Sequence, residues 1–176
     1  MNSNFGISTA LLKTALAATT LLFALPPGYG QEIDFGDHRS STLTSKAWDA
    51  LGGGNLTAAM TYVEKCISLY QEEAKSMQAS LSTFPAQEPR EETFKYWALN
   101  DVGTCYFIMG EVLMKQGNTV GAKNAYDTCA RDFSFAQCWD PKGWFWKPGE
   151  AAKQKSLELE YDVTTDQPTN ADWPSP

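Results

Sequence analysis

A shift of the chain by 63 residues lays one helical pattern over another. Gly54 falls on Gly117, Asn55 on Asn118, Ala59 on Ala122, Val63 on Tyr126, Cys66 on Cys129 and Tyr70 on Phe133. Upstream, Leu43 falls on Tyr106 and Ala47 on Gly110. Small residues recur where two helices must approach closely, and large ones where the gap between them must be filled. The chain therefore predicts two copies of a helix–turn–helix unit, and units of that kind bury their apolar faces only by stacking on one another.

The local signals agree. Ser40, Ser41 and Thr42 are candidate N-caps for a short helix through Leu43, Ala47, Trp48 and Leu51, which Gly52-Gly53-Gly54 terminates. A second helix is expected over Leu56–Ser80, because Ala59, Met60, Val63, Cys66, Ile67 and Tyr70 recur at three and four residues and make one face. Pro85 and Pro89 mark residues 82–90 as a loop. One long helix is expected over Glu91–Gln116, a fourth over Val120–Asp132 and a last over Gly149–Tyr161 behind Pro148. No segment carries a strand pattern, so the expected class is all-α. Residues 164–176 contain three Pro and little apolar content, and read as a disordered tail.

Residues 1–30 are expected to stand outside the fold. Lys13 is their only charged side chain, Thr14–Leu25 is almost wholly apolar, and Pro26, Pro27, Gly28 and Gly30 follow. This is the layout of a secretory signal peptide, which places the protein in the periplasm or outside the cell and starts the mature chain near Gln31. The folded domain is then 31–163. With Lys13 removed, 13 basic side chains face 21 acidic ones, a balance of −8. So acidic a protein repels nucleic acid and anionic membranes, and no mature segment is apolar enough to span a bilayer. The four cysteines, Cys66, Cys105, Cys129 and Cys138, all lie in the mature part. An exported compartment permits disulfides among them, with three possible connectivities.

No residue set carries catalytic chemistry. His38, the lone imidazole, sits in a polar segment. Asp34-Phe35-Gly36 has no other kinase signature around it. Glu72-Glu73, Glu91-Glu92 and Glu158/Glu160 read as solvated helix faces rather than as carboxylates held across a cleft. The Gly52-Gly53-Gly54 run lacks the Lys of a phosphate-binding loop. Asn55-Leu56-Thr57 is a glycosylation sequon, useful only in a eukaryotic secretory host. Zinc is not expected, since there is no Cys-x-x-Cys pair and His38 is remote; no metal or cofactor is expected. The informative stretch is 133–148, where Trp139, Trp144 and Trp146 stand among three Phe. Aromatic side chains at that density either cap the end of the helical stack or form a binding surface for a peptide or a sugar ring.

The second copy, from Cys105-Tyr106-Phe107-Ile108-Met109-Gly110 through Lys115-Gln116-Gly117-Asn118 to Ala122, Tyr126 and Cys129, resembles the tetratricopeptide repeat, in an exported bacterial form. Tyr106, Met109-Gly110, Gly117-Asn118, Ala122, Tyr126 and Cys129 fill the family's aromatic, Leu-Gly, turn and second-helix slots. Leu113 stands where the first helix usually carries Tyr, and the first copy lacks the Leu-Gly pair. The 63-residue period exceeds the family's ~34 by about 29 residues, which implies a long inserted helix pair. Helices of ~25 residues would reach ~37 Å.

The resemblance implies stacked helical hairpins with an aromatic-rich C-terminal cap. It implies a non-catalytic adaptor that holds a protein or peptide partner of the cell envelope on the concave side. Trp48, Tyr106 and Leu113 join Trp139, Trp144 and Trp146 as candidate contact residues. The alternative is an accessory protein of glycan-active enzymes that holds polysaccharide on the aromatic segment. In the family, the second-helix position held here by Cys66 and Cys129 packs on the following unit. The resemblance thus implies the pairs Cys66–Cys105 and Cys129–Cys138.

Overall fold

The computed structural model describes residues 33–140 and 142–165, without the side chains of 162–165. The described residues belong to one compact unit. The expected signal peptide lies outside them, as do residues 166–176 of the expected tail; the first two residues of that tail, Thr164 and Thr165, instead end the last helix.

Helices α1 (Ser40–Gly52), α2 (Leu56–Ala79), α3 (Arg90–Phe94), α4 (Trp97–Lys115), α5 (Thr119–Asp132) and α6 (Pro148–Thr165) make the chain mostly helical, the all-α class. One element was not expected: a small antiparallel hairpin of β1 (Cys138–Asp140) and β2 (Trp144–Trp146). Its turn closes through Gly143 N–H to the Asp140 carbonyl at 2.9 Å, with Gly143 at φ +99°.

The two turns at the centre of the repeat have one geometry. Gly54 and Gly117 sit at φ +75° and +76°, a region open to glycine. Asn55 N–H donates to the Ala50 carbonyl at 2.8 Å, and Asn118 N–H to the Leu113 carbonyl at 2.9 Å, the five-residue reach that ends a helix on a left-handed glycine. Asn55 Oδ1 then caps α2 by accepting from Ala58 N–H, and Asn118 Oδ1 caps α5 by accepting from Gly121 N–H.

Helix α4 lies in the middle and packs on α1, α2, α5 and α6, while α1 also packs on α2 and α5 on α6. Leu43 and Ala47 of α1, Ala59, Val63 and Cys66 of α2, and Leu99, Val102, Ile108 and Val112 of α4 form one fully buried core. Ala122, Tyr126 and Cys129 of α5 and Ala152 of α6 form a second against Phe107. Burying each large aliphatic side chain contributes about 1.5–3 kcal/mol.

Two expectations need correction. The long helix expected over Glu91–Gln116 is broken at Lys95-Tyr96 into α3 and α4. Thr93 is the cause: its hydroxyl donates to the Ala86 carbonyl at 2.9 Å, and its carbonyl accepts from Asn100 Nδ2 at 3.0 Å. A backbone carbonyl held by a side chain in this way favours a new helix start over continuation.

The cysteine pairs Cys66–Cys105 and Cys129–Cys138 are not bonded; all four thiols are free. Each sulfur is instead turned to an oxygen. Cys66 Sγ lies 3.9 Å from the Ser40 carbonyl, and Cys129 Sγ, 63 positions on, 3.1 Å from the Gly103 carbonyl. Cys105 Sγ lies 3.4 Å from Thr44 Oγ1, and Cys138 Sγ 2.8 Å from Thr104 Oγ1. Burial pushes the Cys129 thiol up, and it pushes Cys105 far up with help from the adjoining Cys66. The thiols act as small packed groups with weak hydrogen bonds.

Candidate functional site

A cleft of about 720 Å³ opens between α1, α4 and the hairpin. That volume is in the range of small-molecule and side-chain binding sites. Helix α1 is amphipathic, with Leu43, Ala47 and Leu51 in the core. One turn round, Ser41, Thr44, Ser45, Trp48 and Asp49 face the cleft. Helix α4 contributes Asp101, Thr104 and Phe107 by the same helical spacing.

The hairpin supplies the third wall through its period of two. Register pairs Cys138 with Trp146 and Asp140 with Trp144, and directly paired residues share a face. All four line the cleft. Trp139 and Phe145 take the other face, 5.1 Å apart, yet Trp139 still borders the cleft. The Arg90 guanidinium lies 4.5 Å over the Trp139 ring. Phe145 anchors the hairpin against Phe94 at 6.1 Å.

Phe107 holds the aromatic wall together. Trp146 meets it edge-on at 5.0 Å, Trp48 at 6.2 Å and Tyr126 at 5.7 Å, and Trp48 meets Trp146 edge-on at 6.0 Å. Each ring fixes the next, which keeps the indoles ordered with little entropy left to lose on binding. Trp48 and Trp144 remain open to solvent, at 38% and 49% exposure.

The cleft is electrostatically one-sided. Asp49, Asp101 and Asp140 are among its lining residues, and no Lys, Arg or His is. Among the described residues, none of the three carboxylates takes part in an ion pair. Asp101 is the most enclosed. Burial pushes its carboxyl up to about 6, against the pull of Ser40 Oγ, which donates to Oδ2 at 2.5 Å. Burial likewise raises the Cys138 thiol to about 12, so this sulfur is not a nucleophile at neutral pH.

Asp101 and Ser41 also line a second, smaller cleft of about 330 Å³, with Arg39, Ser40, Tyr70 and Trp97. There Tyr70 and Trp97 meet edge-on at 5.4 Å, and the Tyr70 hydroxyl donates to the His38 carbonyl at 2.8 Å.

Of the residues expected from the sequence, Trp48, Trp139, Trp144 and Trp146 come together here. Tyr106 and Leu113 do not. Tyr106 stacks on Phe133 at 5.2 Å and donates to Gln71 Oε1 at 2.5 Å, on the α2 side of α4. Leu113 packs with the α5–α6 core. Missed by sequence reasoning were Phe107 and the three aspartates. The signal for two of them was present: Trp-Asp occurs at 48–49 and again at 139–140. No helix among the described residues is long and apolar enough to cross a membrane. Among the described residues, no three His, Cys, Asp or Glu side chains gather as metal ligands would. Comparison of the chain with protein-family models, with curated proteins and with solved structures finds no match.

Proposed function

We propose that the chain is an exported, non-catalytic binding protein on a tetratricopeptide-like scaffold, an adaptor that holds a protein or peptide partner in the tryptophan-lined cleft. The observation that carries this reading is the cleft itself: four indoles between α1, α4 and the hairpin, two of them solvent-open, with Trp48 and Trp146 braced by Phe107. Solvent-open Trp in a preorganised hollow is the usual form of an interface anchor site.

The repeat-like scaffold is supported by the two matched turns and by the packing order. Helix α1 lies on α2 and α4, α2 on α4, α4 on α5 and α6, and α5 on α6. In that order α6 takes the place of the first helix of a third unit. The non-catalytic role rests on the sequence, which carries no catalytic motif. Export rests on residues 1–30, read as a signal peptide.

A pull-down from envelope extract with the purified chain tests the reading. A stoichiometric protein retained by the native chain and lost by Trp144→Ala is the expected outcome; a partner kept equally by both would remove the cleft from the interaction. The second reading, a polysaccharide-binding accessory protein, is favoured by the same indole faces beside carboxylate and hydroxyl acceptors. Soluble glucan added to the chain should then shift tryptophan emission. Release of new reducing ends from that glucan would overturn the non-catalytic reading.

A further inference from the structure

We infer that the cleft recognises a cationic side chain, the guanidinium or ammonium of an arginine or lysine on an extended basic segment of the partner protein. The inference rests on the peptide-binding reading and names what such a peptide must carry.

Three observations lead to it. The cleft wall combines indole faces with Asp49, Asp101 and Asp140 and includes no basic residue. A cation placed there meets π-faces and carboxylates together, the two environments that attract it most. A neutral ligand would leave Asp101 enclosed and uncompensated. The molecule already shows the contact on a small scale, since the Arg90 guanidinium stacks on Trp139 at the cleft border. The chain as a whole carries a net charge of −7, which draws a basic partner towards it.

The second cleft explains why the cation sits on an extended segment. It shares Ser41 and Asp101 with the first and adds the Tyr70–Trp97 pair. A peptide running from one to the other would pass the Asp101 carboxylate midway.

Asp101 is also the group whose protonation such a ligand would sense. The ionisable groups around it are Arg39 and Asp49 from the α1 side, Tyr70 from α2, Cys105 on its own helix, and Cys138 and Asp140 from the hairpin. With its carboxyl near 6, Asp101 is mostly ionised at pH 7 and mostly protonated at pH 5. A bound cation favours the ionised form, so affinity falls as pH drops through 6.

Calorimetric titration of the purified chain tests the inference with four probes. These are an acetylated and amidated hexapeptide alternating arginine and alanine, the same peptide with citrulline at each arginine, free arginine amide, and soluble β-glucan. The arginine peptide should bind at pH 7, with the citrulline peptide at least ~10-fold weaker, the loss of one good charged contact. Asp101→Asn, Asp49→Asn and Trp144→Ala should each weaken the arginine peptide several-fold, while Glu73→Gln, an exposed acid of α2 that lines neither cleft, leaves it unchanged. Affinity should drop between pH 7 and pH 5.

Equal binding of the citrulline peptide would overturn the cationic requirement and leave the peptide-binding reading standing. Free arginine amide binding as tightly as the peptide would overturn the extended segment. A loss with Glu73→Gln as large as with Asp101→Asn would mean diffuse attraction and overturn the site. Glucan binding with neither peptide bound would overturn both this inference and the adaptor reading.

Discussion

The ring of Tyr126 occupies the space that a side chain on Gly110 would need: a Cβ added at Gly110 would stand 2.6 Å from Tyr126 Cζ. Tyr126 is fully buried, and its hydroxyl donates to Glu111 Oε1 at 2.7 Å, so the ring has no easy way to move. Gly110→Ala should therefore destabilise the fold by ~1–3 kcal/mol through overpacking. Gly52→Ala, at a helix end where an added Cβ meets nothing within 4 Å, should stabilise it by ~0.5–1 kcal/mol. Urea unfolding of the two variants separates the cases; equal effects would mean that α4 and α5 are not in this close contact.

Asn55 and Asn118 cap their helices with equivalent bonds to Ala58 N–H and Gly121 N–H. Replacing either by Ala should cost about 1 kcal/mol, and the double variant about twice that, since the two turns share no partner. A double variant no less stable than either single one would show that the turns are not independent caps.

Asp101 makes stability depend on pH in an unusual direction. Its folded carboxyl is held near 6 against an ordinary 3.8, chiefly by burial. The folded chain thus keeps this proton more firmly than the unfolded chain. The stabilisation is complete below pH ~4 and is lost as pH rises through 6. Ionised at pH 7, the group costs at most ~3 kcal/mol, and its opening to the cleft brings that nearer ~1–2 kcal/mol. Asp101→Asn should raise the melting temperature at pH 7 and flatten the fall in stability between pH 4 and pH 6. A variant less stable than the native chain at pH 7 would contradict this account.

Cys66, Cys105 and Cys129 are buried and free, so maleimide should label none of them in the folded chain within minutes, and all four cysteines once urea is added. The mass of the denatured, labelled chain reads the count directly. Missing label on two or four cysteines after denaturation would mean that disulfides had formed.

The helices were legible because their apolar spacing is local. Ala59, Val63 and Cys66 mark one face of α2 whatever it packs against, and Gly54-Asn55 and Gly117-Asn118 name their own turns. The break at Lys95-Tyr96 was not legible, because no Gly or Pro stands there. It depends on Ala86 and Asn100 reaching Thr93 from seven residues away on either side. The hairpin escaped notice because strands of three residues give alternation no room to register. For the cleft, aromatic density pointed to the right segment, and Trp48 was singled out apart from it. Asp101 reads in the sequence as one more solvated acid on a helix, and only the approach of α1 encloses it. Tyr106 and Leu113 occupy repeat positions whose side chains turn inward here, towards Phe133 and the α5–α6 core.

The segment between α2 and α3 has the composition of a free linker, yet it is held by side chains from across the molecule. Gln137 Nε2 donates to the Pro85 carbonyl at 2.9 Å, its Oε1 accepts from Gln87 Nε2 at 2.9 Å, and its backbone N–H donates to Asn100 Oδ1 at 2.9 Å. Gln78 binds Ser134 Oγ and Phe135 N–H in the same way. A protease nick at 80–89 would therefore leave two fragments that travel together through gel filtration. These bonds tie the segment after α2 to residues 134–137, so deletion of everything after Asp132 should destabilise α1 and α2 as well as remove the hairpin tryptophans.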